Sequence, residues 1–314
     1  MIKIDLVSDL EQLLRQKLQL DGLLVSPADD LRSLLRKTIN LQARQIPIMK
    51  WEIKYSDSLM SDTFDRRILD RVNVVKNEAV NGLNLNPRLS RNVRDIDFND
   101  LLFNDWGINH LHLGSNLEDD GSISRTDDLL FLIVQEPILY FIDVLPHKCG
   151  FTATSLLETI HRNWPDLLSP FTLQGVLASK NNPTDKEIKQ LRKSGVQIII
   201  GLSDGCVYGP RGGGYSTAGT NVRHTMQASA YLNWIRRLES AIPLEECAIR
   251  YHIMQLVMSC PAVLCLKLTN LMDDHIVLIE ALTKCEFICF IDRASGQCVV
   301  RPYSFAIGMN YGTI

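Results

Sequence analysis

No apolar run in this chain approaches the roughly 18 residues that would span a bilayer. The opening Met1-Ile2-Lys3-Ile4-Asp5 sets an acidic residue where a secretory signal would carry its apolar segment. The expectation is a cytoplasmic chain with no membrane partner. A strong excess of one charge is missing as well. The 33 Lys and Arg stand against 36 Asp and Glu, a net charge of -3, which argues against broad nonspecific affinity for nucleic acid but leaves room for a local basic site. Tight cysteine pairs are also lacking. The eight cysteines (149, 206, 247, 260, 265, 285, 289 and 298) mostly sit in apolar runs around Cys265 and Cys289, as buried thiols do in a reducing compartment. The Cys260/Cys265 and Cys285/Cys289 spacings fall on expected strands and do not suit a zinc knuckle. The glycine-rich stretch 209–219 is not followed by the Gly-Lys-Ser/Thr of a phosphate loop. Ser216 and Thr217 sit in no nucleophile elbow, and no repeat period is present.

What remains is ordinary globular composition, 46% hydrophobic and 22% charged over 314 residues. That length exceeds the roughly 250 to 300 residues at which a single core stops growing, so two units are expected, 1–168 and 169–314. Leucines at helical spacing predict a helix over 6–20, with Ser8 and Asp9 as cap candidates, and a second one opened by Pro27 over 28–40. Trp51, Ile53 and Tyr55 alternate in an expected strand over 48–55. Phe64, Ile68, Val72, Val75 and Val80 share a helical face ended by Asn81-Gly82. Three short apolar segments, 107–114, 124–134 and 138–145, then predict an antiparallel meander, followed by a helix over 152–163. Thr184-Asp185-Lys186-Glu187 is a capping-box pattern opening a short basic helix, with a buried strand expected over 196–202. Asn221 caps a helix over 222–240, and the rest reads as mostly strand, over 262–271, 275–282, 286–292 and 297–302. The fold class is therefore α+β: N-terminal helices packed on a small antiparallel sheet, then a second α+β unit with antiparallel strands, read as serving recognition or regulation.

Chemistry concentrates in the meander. Side chains alternate across a strand, so His110 and His112 share one face while Leu111 and Leu113 take the other. Arg125 enters the second strand, and His147 leaves the third after Asp143. Cleavage of RNA through its own 2′-hydroxyl requires a base for that hydroxyl, an acid for the leaving oxygen and a cation for the charged phosphorane. Histidines and an arginine supply all three without a metal or cofactor.

The run Gly107-Ile-Asn-His-Leu-His-Leu113, the run Arg125-Thr-Asp-Asp-Leu-Leu-Phe-Leu-Ile-Val134 and the run Ile138-Leu-Tyr-Phe-Ile-Asp-Val-Leu-Pro-His147 together resemble the strand trio of RelE-like ribonuclease toxins, the HigB and YoeB types especially. The resemblance covers about residues 64–147. It implies helices packed on a small antiparallel sheet that cuts RNA, often messenger RNA on the ribosome, in a toxin or phage-defence setting with an antitoxin or regulatory protein as partner. Arg125 would match that family's strand arginine and His147 its terminal histidine. This chain departs from those small basic toxins in being acidic and far longer, and in adding His110 and His112.

Other readings stay open on the residues alone. The histidines can be structural, hydrogen-bonded to Asp105, Asp143 or backbone. His110, His112 and His147 can instead form an open three-ligand zinc site for a hydrolase. The chain can also be a non-catalytic module that binds protein or nucleic acid. Consecutive amides of Gly212, Gly213 and Gly214, beside Arg211 and Arg223, are a candidate phosphate nest, against the alternative of a flexible loop. The basic clusters 32–44, 186–193 and 211–223 read as solvated faces or loops. His161, His224, His252 and His275 read as structural or exposed.

Overall fold

The computed structural model describes residues 1–61, 65–148, 150–178, 183–272 and 274–303. Phe64 and Cys149 lie outside them. Along the chain the elements run β1 (Ile2–Lys3), α1 (Leu6–Leu20), α2 (Leu31–Arg44), β2 (Glu52–Tyr55), α3 (Arg66–Val80), α4 (Leu101–Trp106), β3 (Asn109–His112), β4 (Asp128–Gln135), β5 (Ile138–Pro146), α5 (Ser155–Asn163), α6 (Asp185–Lys193), β6 (Ile200–Gly201), β7 (Val207–Tyr208), α7 (Val222–Ala241), α8 (Glu246–Val257), β8 (Leu264–Leu271), β9 (Ile276–Glu280), β10 (Glu286–Ile291) and β11 (Cys298–Pro302). With antiparallel pairing dominant in its sheets, this is an α+β fold. No described helix is long and apolar enough to cross a membrane.

The chain divides into two compact units, but not at residue 168. Ile39–Thr225 forms one, and Met1–Thr38 with the described part of Met226–Ile314 forms the other. The reason is long-range pairing. β1 adds in parallel to β8, Ile2 opposite Leu264, and Asp9 on α1 accepts from Lys267 Nζ at 2.8 Å and the Leu268 amide at 3.1 Å. Local periodicity says nothing about which distant strand an N-terminal segment will join.

In this interleaved unit the sheet order is β1-β8-β9-β10-β11, an antiparallel meander with one parallel edge. α1 buries Leu6, Leu10, Leu14 and Leu18 at four-residue spacing. Its cap is Asp5, which accepts from the Ser8 amide at 3.0 Å, rather than Ser8 or Asp9. α2 likewise starts later than Pro27, with Asp30 accepting from the Ser33 amide at 2.8 Å. α8 occupies a stretch, 246–257, for which the sequence predicts no particular element. It buries Ile249 and Ile253, four residues apart, a weak stripe that a short apolar run conceals.

The unit formed by 39–225 holds a sheet of order β2-β5-β4-β3, in which β3, β4 and β5 are the antiparallel meander and β2 pairs in parallel with β5. β4 reads Leu-Leu-Phe-Leu-Ile without polar alternation because both its faces are covered. Leu129, Phe131 and Ile133 pack with Tyr140, Ile142 and the α5 residues Leu156, Leu157 and Ile160. Leu130 and Leu132 pack with Leu111, Leu113, Phe141 and the α3 residues Val72 and Val75. Each fully buried side chain of this kind contributes roughly 1.5 to 3 kcal/mol, so the sheet that carries the histidines is anchored on both faces. The capping box on α6 is present, with Thr184 and Glu187 bonded reciprocally. The strand expected over 196–202 shrinks to β6, which pairs with β7.

Candidate functional site

Asp100 caps α4 by accepting from the Leu102 and Phe103 amides, each at 3.0 Å. Gly107 ends it in the left-handed region at φ +67° and turns the chain into β3. In the β3–β4 register His110 lies opposite Phe131 and His112 opposite Leu129, so both imidazoles emerge on the Leu129/Phe131 face. Their ring centroids are 6.3 Å apart. After β5 the His147 amide donates to the Asp127 carbonyl at 2.7 Å, which ties the end of β5 to the segment carrying Arg125. The Phe151 ring stands 4.9 Å from His110 and 5.1 Å from His147, edge-on to both, and so spaces the two imidazoles.

His110, His112, Arg125 and His147 line one cavity of about 700 Å3, the convergence that catalysis at the meander requires. The same wall includes Asp100, Phe151, Lys148 and, from α6, Lys189, Arg192 and Lys193. Arg192 is not available to a ligand in the way the lysines are. Its Nε donates to Asp105 Oδ2 at 2.9 Å in a fully enclosed ion pair, and its guanidinium lies 4.2 Å over the Trp106 ring. Burial pushes the Asp105 carboxyl upward against the pull of Arg192. This pair fixes α6 against α4 and leaves Lys189 and Lys193 exposed at the cavity edge.

Both strand histidines are held neutral. Burial, then the nearby His110 and Arg125, push His112 down to about 4. Its Nδ1 accepts from the Thr126 amide at 3.3 Å, which assigns the proton of the neutral ring to Nε2. Burial also pushes His110 down, opposed by Asp100 and reinforced by His147 and Arg125. Among the described residues its buried Nδ1 has no hydrogen-bond partner. The carboxylate partners expected for structural histidines are engaged elsewhere. Asp105 bonds Arg192 and Gln197, and Asp143 accepts from the Val144 amide.

The glycine-rich loop does not form a phosphate nest. The Gly212 amide donates to the Asp105 carbonyl at 2.8 Å, Gly214 to Asn104 at 2.8 Å and Gly213 to Pro210 at 3.1 Å. The loop instead satisfies the last-turn carbonyls of α4, which have no partner within the helix. Arg211 donates to the Gly107 carbonyl at 3.1 Å, and Arg223 donates to the Arg211 carbonyl at 2.8 Å. The expectation that Arg211, Gly212, Gly213, Gly214 and Arg223 cradle a phosphate is therefore corrected. Asn221 does cap α7, accepting from the His224 amide at 3.1 Å.

The zinc alternative for the meander would need His110, His112 and His147 to bring their ring nitrogens together. Among the described residues, the three-donor group whose ligand atoms lie within 4.8 Å of one another is His161, Asp204 and Cys206, and the meander histidines do not form such a group. Sequence reasoning missed Lys148, Phe151, Lys189 and Lys193. The four-residue spacing of Lys189 and Lys193 places them on one face of α6, but that pattern equally describes a solvated helix. No protein-family model matches the chain, and no curated protein or solved structure matches it significantly, so the likeness to RelE-like toxins stands on the residues quoted above.

Proposed function

We propose that the chain is a metal-independent endoribonuclease of bacterial toxin or phage-defence type, acting in the cytoplasm on RNA under the control of an antitoxin or regulatory protein. One observation carries this reading: His110, His112, Arg125 and His147 line a single cavity whose other exposed cations are Lys148, Lys189 and Lys193. A cavity of about 700 Å3 is of a size that holds a small ligand such as a nucleotide, and its cations favour a polyanion. His110, neutral and set in the wall, takes the proton of the 2′-hydroxyl. The 2′-oxygen then bonds to phosphorus while the bond from phosphorus to the 5′-oxygen breaks, and His147 at the exposed rim delivers the proton to that oxygen. The products are a 2′,3′-cyclic phosphate and a free 5′-hydroxyl. His112 donates its Nε2–H to a non-bridging oxygen, and Arg125 balances the charge gathered on the phosphorane.

The test is incubation of the purified chain with RNA and with DNA, with and without chelator. RNA is expected to be cut with chelator present, and DNA, which lacks the 2′-hydroxyl, to be left intact. His147→Ala and Arg125→Ala should each lower the rate by about 100- to 10,000-fold. Failure to cut RNA, or cutting abolished by chelator, would overturn the reading.

A further inference from the structure

A second cluster of ligating side chains lies in the 39–225 unit, and none of its members lines the histidine cavity. His161 sits in the last turn of α5, and Asp204 and Cys206 flank Gly205 in the turn between β6 and β7. The His161 Nε2 is 2.8 Å from Asp204 Oδ2, and all three ligand atoms gather within 4.8 Å of one another. The geometry points to a zinc site in which His161 Nε2, an Asp204 carboxylate oxygen and Cys206 Sγ hold the ion and water completes a tetrahedron.

Three features support this beyond proximity. The donor set is one nitrogen, one oxygen and one sulfur, which suits zinc. Magnesium and calcium want oxygen throughout, and copper(I) wants more sulfur. The His161 ring is already oriented from behind, because its Nδ1 lies 2.8 Å from Tyr208 Oη on β7, the outer partner that metal-bound histidines use. The turn is also preset. Leu202 donates to the Cys206 carbonyl at 2.7 Å, Cys206 donates to Asp204 Oδ1 at 2.9 Å, and Gly205 takes φ +91°. Glu158, one turn before His161 on α5, accepts from the Ser203 amide at 2.8 Å and from Ser203 Oγ at 3.1 Å. α5 and the turn are thus pinned together independently of the three donors, so little reorganisation is needed on binding.

A cysteine thiol ordinarily carries its proton at neutral pH. On binding, the Cys206 S–H proton leaves to solvent and the sulfur bonds to zinc. The Nε2 proton of His161 is replaced by one on Nδ1, which then donates to Tyr208 Oη. One proton is released for each ion bound. The site would lock the C-terminal end of α5, whose Leu156, Leu157 and Ile160 pack beneath the sheet that carries the histidines.

The test titrates zinc chloride alone into the metal-free full chain by calorimetry in two buffers of different ionisation enthalpy, and repeats the titration with cobalt(II) under absorbance. One equivalent of zinc, one proton released and a thiolate-to-cobalt charge-transfer band are expected. Cys206→Ser should abolish the band and weaken zinc at least 100-fold, whereas Tyr208→Phe should weaken it about 10- to 100-fold. His112→Ala should change neither, and circular dichroism checks that each variant is folded. Absence of micromolar binding by the wild type, or stoichiometric zinc that survives Cys206→Ser, overturns the proposal. Neither outcome bears on RNA cleavage, which is read separately with chelator present.

Discussion

Burial keeps the His112 ring neutral down to about pH 4, whereas a histidine in an unfolded chain takes its proton near 6.5. Between those values the unfolded state binds a proton that the folded state refuses. Stability must therefore fall as the pH drops from about 6.5 to about 4 and level off, for this residue, below and above that window. His110 is displaced in the same direction and adds to the slope. The urea midpoint of the wild type should decline across the window, and His112→Gln should decline less steeply because the replacement cannot titrate. Equal slopes for the two proteins would sink the assignment. The same residues show how much of the site could be read in advance. Strand alternation alone places His110 and His112 on one face, because the period of two leaves no other choice. Their meeting with His147 depends on the length of β5 and on the Phe151 ring between them, which no local pattern encodes.

At the scale of elements, the strongest revision concerns the loop that precedes α7. Its glycines are there for close approach rather than for a ligand: a Cβ on Gly212 would stand 1.9 Å from the Phe103 carbonyl oxygen and 2.6 Å from that of Asn104, both backbone atoms that cannot swing aside. Gly212→Ala should cost about 1 to 3 kcal/mol by forcing the loop off the end of α4. Thermal or urea unfolding checks this, and an unchanged midpoint would mean that the loop is only loosely seated. A run of glycines before a helix suggests both an anion nest and a tight backbone contact. What decides between them is whether a neighbouring helix end offers free carbonyls, and that helix, α4, lies a hundred residues earlier. The basic face of α6 is a comparable case: Lys189 and Lys193 look solvated until the Arg192–Asp105 pair is seen to hold the helix against α4.

For the molecule as a whole, the division of the chain is the feature with the most direct experimental consequence. Both apolar clusters around the four-stranded sheet draw only on residues between 46 and 208. A fragment spanning 39–225 should therefore fold cooperatively on its own. Fragments 1–168 and 169–314 should not, since each cuts both units. Circular dichroism melting of the three decides the matter, and a cooperative 1–168 beside an unfolded 39–225 would refute the division. The α+β class, the meander and the caps at Thr184 and Asn221 followed from composition and short-range pattern. The parallel joining of β1 to β8 and the helix α8 did not, because one is set by distant pairing and the other by a stripe of two isoleucines.

The four groups placed in the chemistry, from His110 to His147, belong to one uninterrupted stretch of β3, β4 and β5, held by its own strand pairing and by the His147–Asp127 bond. The lysines on α6 that face the same cavity belong to another stretch and are fastened by a different contact. Under the proposed function, the reacting groups would then sit in one passage of the chain and, apart from Lys148, the cations that hold the ligand in another. On the same reading, substitutions on α6 would retune which polyanion is held, and how strongly salt weakens it, without altering the residues of the meander.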